Sequence, residues 1–290
     1  MVLRQSNLRQ GIPSRTARGV AIRRAAHQLL DHPRLFEDPL ALAILGEETA
    51  RLLEADPARF ENSPRLRAFV AARSRFAEEE LAVAFNHGVR QLVVLGAGLD
   101  TFAYRNPFAG SGLRVFEVDH PATQTWKREL LADAGIAAPP SLTFVALDFE
   151  ERSLAAALEE AEFRADQTAF FSWLGVVPYL TLDAATATLA WIGGLPAGSG
   201  VVFDYAISPA SLGEAQKKAF DALASRVARA GEPFQLFFEP TELSAMLTGL
   251  GFHKIGDLDA VEIDRRYFTN RADGLHVGGL AHLVSARVTS

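Results

Sequence analysis

Gly96-Ala97-Gly98 follows the apolar run Gln91–Leu95, and a second apolar run, Val115-Phe116-Glu117-Val118, ends at Asp119. The pattern reads as a buried strand, a tight glycine turn leading into a helix, and an acid at the tip of the next strand. Glycines let the backbone approach a bound molecule, and a carboxylate at a strand tip accepts hydrogen bonds from ribose hydroxyls. The chemistry indicated is nucleoside binding. A Gly-x-Gly pair also occurs in ordinary strand–helix turns, so the surrounding residues must decide.

Two nucleoside cofactors compete. The dinucleotide fingerprint ends in a third glycine that permits close helix–strand packing, and here that position is Thr101. S-adenosylmethionine carries no phosphate. It needs a loop for its methionine part, an acid for its ribose and an apolar slot for its adenine, which Gly96-Ala97-Gly98-Leu99-Asp100 with Asp119 fits better.

Other side chains could complete such a site. Asp119 is the ribose candidate, with Glu117 on the same strand face as the alternative acceptor, and an N-cap before Pro121 as its structural role. His120 follows directly and could touch the ribose or adenine edge. Asp148 ends the run Leu142–Leu147, where its carboxylate could accept the adenine amine while Phe149 supplies an aromatic wall. An N-cap is again the structural alternative. Arg73 could hold a carboxylate with two parallel hydrogen bonds. Arg75 is two positions away, and residues at i and i+2 do not share a helix face, so at most one of the pair points inward. Arg15, Thr16 and Arg24 either close over the cofactor, meet an anionic substrate or lie on an exposed helix face. Tyr104 and Arg105, about one turn into the helix after the glycine loop, read as packing and surface charge. Phe234, Phe237 and Phe238 line an acceptor pocket or pack in the core.

The elements that must position these groups are legible in outline. Residues 15–88 look helical throughout, with Asp38-Pro39 and Asp56-Pro57 as helix starts and His87-Gly88 as a stop. From residue 91 strands and helices alternate. Strands are expected at 91–95, 113–118, 142–147, 168–174 and 199–205, with helices near 120–134, 152–162 and 182–193. Helices at 211–230 and 239–251 and strands near 253–258 and 280–288 follow. Such alternation indicates a parallel sheet with helices on both faces.

The bulk properties narrow the classes further. The 290 residues suffice for one large domain, and 49% hydrophobic with 22% charged residues is ordinary for a globular protein. The net charge of −6 argues against general nucleic-acid binding. Charge is nevertheless uneven. Residues 1–34 hold seven of the 29 basic residues and one of the 35 acids, Asp31. The apolar positions of Ala17–Leu30 suggest an amphipathic helix there. With no cysteine, disulfide and thiolate chemistry are excluded. The seven histidines are scattered, so no metal site is expected. Neither a membrane-length apolar run nor a signal-peptide core is present, which suggests a cytoplasmic protein.

Across nearly its whole length the chain resembles the leucine carboxyl methyltransferase family, in particular its bacterial branch of S-adenosylmethionine-dependent enzymes. The marks are Ser14-Arg15-Thr16-Ala17, Arg24-Ala25-Ala26-His27-Gln28-Leu29-Leu30 leading to Asp38-Pro39, Ala71-Ala72-Arg73-Ser74-Arg75, Gly96-Ala97-Gly98-Leu99-Asp100-Thr101-Phe102-Ala103-Tyr104-Arg105, Val115-Phe116-Glu117-Val118-Asp119 and Ala146-Leu147-Asp148-Phe149. The resemblance implies a class I methyltransferase fold: a Rossmann-like, seven-stranded α/β sheet with a helical N-terminal cap. Residues 1–290 would be a single domain, with 1–88 as the cap and 89–290 as the α/β core carrying a lid insertion near 207–238.

By the same resemblance, Arg73 meets the carboxylate of S-adenosylmethionine and Gly96, Ala97 and Gly98 lie beside its methionine part. Asp119 binds the ribose, and Asp148 with Phe149 holds the adenine. One position departs: relatives commonly carry a glutamate where Ser172-Trp173-Leu174-Gly175-Val176-Val177-Pro178-Tyr179 has Leu174. The implied activity is methyl transfer to oxygen of a small-molecule carboxylate or hydroxyl, with neither nucleic acid nor membrane as partner. No catalytic residue stands out. A nicotinamide-dependent oxidoreductase and a non-catalytic methyltransferase-like binding module are the alternatives.

Overall fold

The computed structural model describes residues 13–60, 63–148 and 152–289. Four helices come first: α1 (Arg15–Leu30), α2 (Glu47–Ala55), α3 (Pro57–Phe60) and α4 (Pro64–Asn86). Strands β1 (Gln91–Leu95) and β2 (Arg114–Asp119) follow, then α5 (Pro121–Asp133), β3 (Leu142–Ala146), α6 (Leu154–Glu160), β4 (Ala169–Trp173), α7 (Leu182–Gly193) and β5 (Gly200–Ala206). The chain continues through α8 (Glu214–Arg229), α9 (Pro240–Gly249), β6 (Phe252–Leu258), α10 (Ala260–Tyr267) and β7 (Ala281–Val288).

The seven strands form one sheet in the order β3-β2-β1-β4-β5-β7-β6. The first five are parallel, whereas β7 runs antiparallel between β5 and β6. This is the strand order of class I methyltransferases, with the expected helices ahead of it. The dinucleotide fold keeps 3-2-1-4-5-6, so an antiparallel strand inserted at this place speaks against the oxidoreductase alternative.

Strand β1 is buried at all five positions because helices cover both faces. On one face Phe116, Val118, Phe171, Trp173, Phe203 and Tyr205 pack under the later helices. On the other, Val94, Val115, Phe170 and Val202 meet Phe69, Ala72 and Phe76 of α4. The N-terminal helices are thus built onto the sheet by apolar burial.

Three expectations are corrected. Residues 31–42 form turns, not helix. Pro33 and Pro39 lack an N–H, and buried side chains take over the backbone groups. The His27 ring accepts from the N–H of Leu35 and Phe36, and Gln28 bonds the backbone of Phe36 and Asp38. Secondly, α1 is not a simple amphipathic helix, since its buried face includes Arg24, His27 and Gln28. Thirdly, no long helix follows the glycine turn. The chain makes two short 3-10 turns, at Phe102–Tyr104 and Ala109–Ser111, with Asp100 accepting from the Phe102 N–H at 2.8 Å. Pro107, Gly110 and Gly112 then interrupt any helix before β2. The sequence pattern also did not separate out α10.

Candidate functional site

The C-terminal ends of β1, β2, β4 and β5 converge where an open α/β sheet binds ligands. Gly96 and Ala97 turn tightly after β1, each donating its N–H to Val118 O, at 2.8 and 3.1 Å. Gly98 has φ +47. That conformation aims its N–H at Asp119, whose Oδ2 accepts it at 2.5 Å. Asp119 Oδ1 accepts the His120 N–H at 2.7 Å. Burial pushes the Asp119 carboxyl up from its ordinary range, against the pull of these two bonds. A carboxylate offers about four lone-pair directions, so two remain for a ligand.

Neither strand-tip acid caps a helix. His120 caps α5, its Nδ1 accepting the Ala122 N–H at 3.2 Å. Ser153 caps α6. The other ring nitrogen of His120 lies 3.6 Å from Asp148 Oδ2. His120 and Asp148 thereby face one another across the tips of β2 and β3. Phe149 lies outside the described residues. Glu117 does share the face of Asp119, but it lies buried, with its Oε2 2.7 Å from Lys127 Nζ of α5 and both side chains 2% exposed. It is not available to a ribose.

Arg73 and Arg75 diverge. Arg75 pairs with Glu79 on the surface. Arg73 is buried, and its Nη1 donates at 3.1 Å to Oδ2 of Asp204, two residues before the end of β5. The other Asp204 oxygen accepts the Gly175 N–H at 2.6 Å. Gly175 has φ +72, and a Cβ there would lie 2.6 Å from Arg73 Nη2. Only glycine lets the guanidinium lie flat on this turn. Arg73 Nε is buried without a hydrogen-bond partner, which is costly unless something else meets it. Leu174 packs into the α4 side of the core and lines a cavity of about 20 Å³ with Glu78, Asp100 and Ser172.

Of the basic N-terminal residues, Arg24 is structural, whereas Arg15 and Arg18 are exposed. Arg24 is buried, 2.7 Å from Asp38, and also bonds Leu99 O. Asp38 accepts from the Thr101 hydroxyl at 2.7 Å, and Arg105 bonds Thr101 and Glu78. This network ties the glycine loop to the helices before it, so Arg105 is not a surface charge. Arg67 grips Asp31 with two hydrogen bonds while His27 Nδ1 lies 2.7 Å from it. Burial raises the Asp31 carboxyl, but the bonds from His27 and Arg67 outweigh it and hold the group at about 2.

A second set of residues ties the segment after α8 to the start of α1. Glu232, just after α8, accepts from the Arg15 N–H at 2.9 Å and from the Ser14, Thr16 backbone and Thr16 hydroxyl groups. The acid sits at the positive end of α1. Tyr179 meets Phe234 in a tilted pair with ring centroids 5.3 Å apart, and Phe234 packs with Phe220 and Phe237. Phe238 belongs instead to the core, against Tyr205. Burial pushes the Tyr179 phenol far up, with Arg73 pulling it down and Glu232 and Asp204 adding to the rise. Asp204 and Glu232 were missed from sequence. A lone acid interrupting the apolar strand Gly200–Ala206 was the available signal for the first. Nothing local marked Glu232, whose partners lie more than 200 residues away in sequence.

Among the described residues there is no helix long and apolar enough to cross a membrane.

The family model for leucine carboxyl methyltransferase matches residues 17–193. A Bacillus subtilis protein named "Putative S-adenosyl-L-methionine-dependent methyltransferase YktD" is 31% identical, over 96% of this chain and 99% of its own. A Rhodococcus jostii protein of like description, RHA1_ro00605, is 37% identical over 57% of this chain and 56% of its own. Among solved structures, a Thermobifida fusca YX protein is 17% identical over 98% of both chains, with a TM-score of 0.60. A Streptomyces avermitilis protein of the DUF574 family is 18% identical, covers 85% of this chain and 94% of its own, and has a TM-score of 0.58. These two likenesses concern the fold. The match of the family model and the full-length bacterial relative place the chain: it belongs to the leucine carboxyl methyltransferase family.

Proposed function

We propose that the protein methylates an oxygen of a small-molecule carboxylate, using S-adenosylmethionine. That it is an S-adenosylmethionine-dependent methyltransferase follows from its family. The acceptor and the residue roles are our own reading. What carries the cofactor roles is the pairing of Asp119, half of whose acceptor capacity is free, with Arg73, whose buried Nε is unpartnered.

Asp119 receives the ribose hydroxyls, and the Gly96–Gly98 turn lies along the methionine part. His120 and Asp148 flank the adenine, with Phe149 assigned to its wall by sequence alone. Arg73 holds the carboxylate, and Leu174 makes the adjoining wall apolar. The helices before β1 and the segment 207–238 serve as cap and lid. Bound S-adenosylmethionine supplies a methyl group already activated on a sulfonium. The protein then has to align the acceptor oxygen and exclude water.

A carboxylate acceptor is supported by the groups around Tyr179. Its phenol stays protonated at neutral pH, so it donates a hydrogen bond and takes no proton. No described histidine joins it. His27 is spent on Asp31 and the backbone, His120 caps α5, and His282 is held by Asp257 at 2.8 Å. A hydroxyl acceptor needs a base, whereas a carboxylate is ionised already. The test is methyl transfer to a panel of small carboxylic acids and phenols. Esters should form, at a rate nearly flat between about pH 6 and 9. Ethers alone, formed at a rate rising with pH through about 6.5, would sink the carboxylate reading.

A further inference from the structure

The amino-acid end of S-adenosylmethionine is a zwitterion, with a carboxylate and an ammonium on one carbon. A site for it needs a donor fork and an acid side by side. No acid stands at the end of β4, where Leu174 is apolar. The register of the sheet shows where one does stand. Strand β4 pairs with β5 as Ser172 with Val202 and Trp173 with Phe203. Continuing by one residue sets Leu174 beside Asp204, on the same face, since side chains alternate along a strand.

Asp204 is 4% exposed and Arg73 7% exposed. Asp204 uses one oxygen for the Gly175 N–H and the other for Arg73 Nη1. Each oxygen keeps a further lone pair. Arg73 keeps its Nε unbonded. A guanidinium donor and a carboxylate acceptor thus lie together, each with unused capacity. Glu232, the other acid near this end of the cleft, is already engaged by the start of α1.

We propose that Asp204 receives the α-ammonium group of S-adenosylmethionine while Arg73 holds its carboxylate, so that the acid of the amino-acid clamp is supplied by β5 instead of β4. The proposal rests on the cofactor assignment above. It also explains why Leu174 is tolerated: an acid there would crowd a second negative charge beside Asp204.

The test is calorimetric titration of the full chain with three ligands: S-adenosylhomocysteine, its analogue with hydrogen for the α-amino group, and 5′-methylthioadenosine, which has no amino-acid end. The wild type should bind the deaminated analogue about tenfold or more weakly than S-adenosylhomocysteine. Asp204→Asn should lose about tenfold for S-adenosylhomocysteine and under about twofold for methylthioadenosine. Adding Leu174→Glu to Asp204→Asn should restore much of that loss, because the acid returns one strand over. Equal wild-type affinity for S-adenosylhomocysteine and its deaminated analogue would overturn the proposal. So would an Asp204→Asn variant that weakens all three ligands alike, which marks a merely structural counter-ion. Should Asp204→Asn fail to fold, Asp204→Ser keeps an acceptor for Gly175 and is read the same way. A wild type that binds methylthioadenosine but discriminates nothing at the amino group refutes the Asp204 assignment alone. One that binds none of the three refutes the cofactor assignment itself.

Discussion

Lys127 Nζ lies 2.7 Å from Glu117 Oε2, and neither side chain is more than 2% exposed. The pair bolts α5 to β2 directly beneath the strand tip that presents Asp119. Burial pushes Glu117 up to about 7 even though Lys127 opposes it. The pair is therefore held in place by having no alternative to itself. Removing one partner leaves an uncompensated buried charge, which costs about 3–5 kcal/mol. Lys127→Met should destabilise by that order at pH 8 in denaturant melts. The folded group binds its proton more tightly than an unfolded glutamate does, so Glu117 contributes less stability as pH rises from about 4.5 to about 7. The Lys127→Met deficit should consequently shrink towards pH 5, where Glu117 takes a proton. A deficit independent of pH would contradict this account.

Asp31 predicts the opposite slope. Its carboxyl is held at about 2, below the ordinary 3.8, by His27 and Arg67. A depressed acid stabilises above its unfolded value, and that contribution is lost as pH falls from about 4 to about 2. Asp31→Asn should cost about 2 kcal/mol at pH 7 and much less at pH 2.5. Equal costs at both pH values would show that the pairing contributes nothing beyond shape.

Arg73→Lys should weaken S-adenosylhomocysteine binding by about tenfold, since one ammonium cannot replace a fork that also reaches Asp204. The fold should survive, because a positive charge still meets Asp204. Unchanged affinity, read by calorimetry, would remove Arg73 from the site.

The sheet was legible because buried parallel strands read as short apolar runs between turn signals, and Gln91–Leu95 and Val201–Phe203 are of that kind. The glycine turn and the strand-tip positions of Asp119 and Asp148 were legible because such positions follow from where an apolar run stops. What stayed hidden depends on long-range partners. Nothing adjacent to Arg24 announces Asp38, Leu99 and Thr101, so a buried network looked like an exposed basic arm. Residues 31–42 looked helical because their backbone is satisfied by His27 and Gln28 side chains, not by a local pattern. Asp204 became visible only when the register of β4 and β5 placed it beside Leu174.

Leu174→Glu alone should not strengthen S-adenosylhomocysteine binding while Asp204 is present. It should raise the affinity only in the Asp204→Asn background, as a double-mutant cycle of dissociation constants would show. Additive effects of the two changes would mean that the positions do not share a ligand group.

The measurement that bears most directly on the site is a calorimetric titration of wild type and Asp119→Ala with S-adenosylhomocysteine, with folding checked by thermal melts. Losing a charge-assisted hydrogen bond costs about 1.5–3 kcal/mol, so affinity should fall by about tenfold or more. An Asp119→Ala variant that is folded and binds as tightly as the wild type would contradict the assignment of the β2 tip as the ribose site, and with it the placement of the cofactor along Gly96–Gly98.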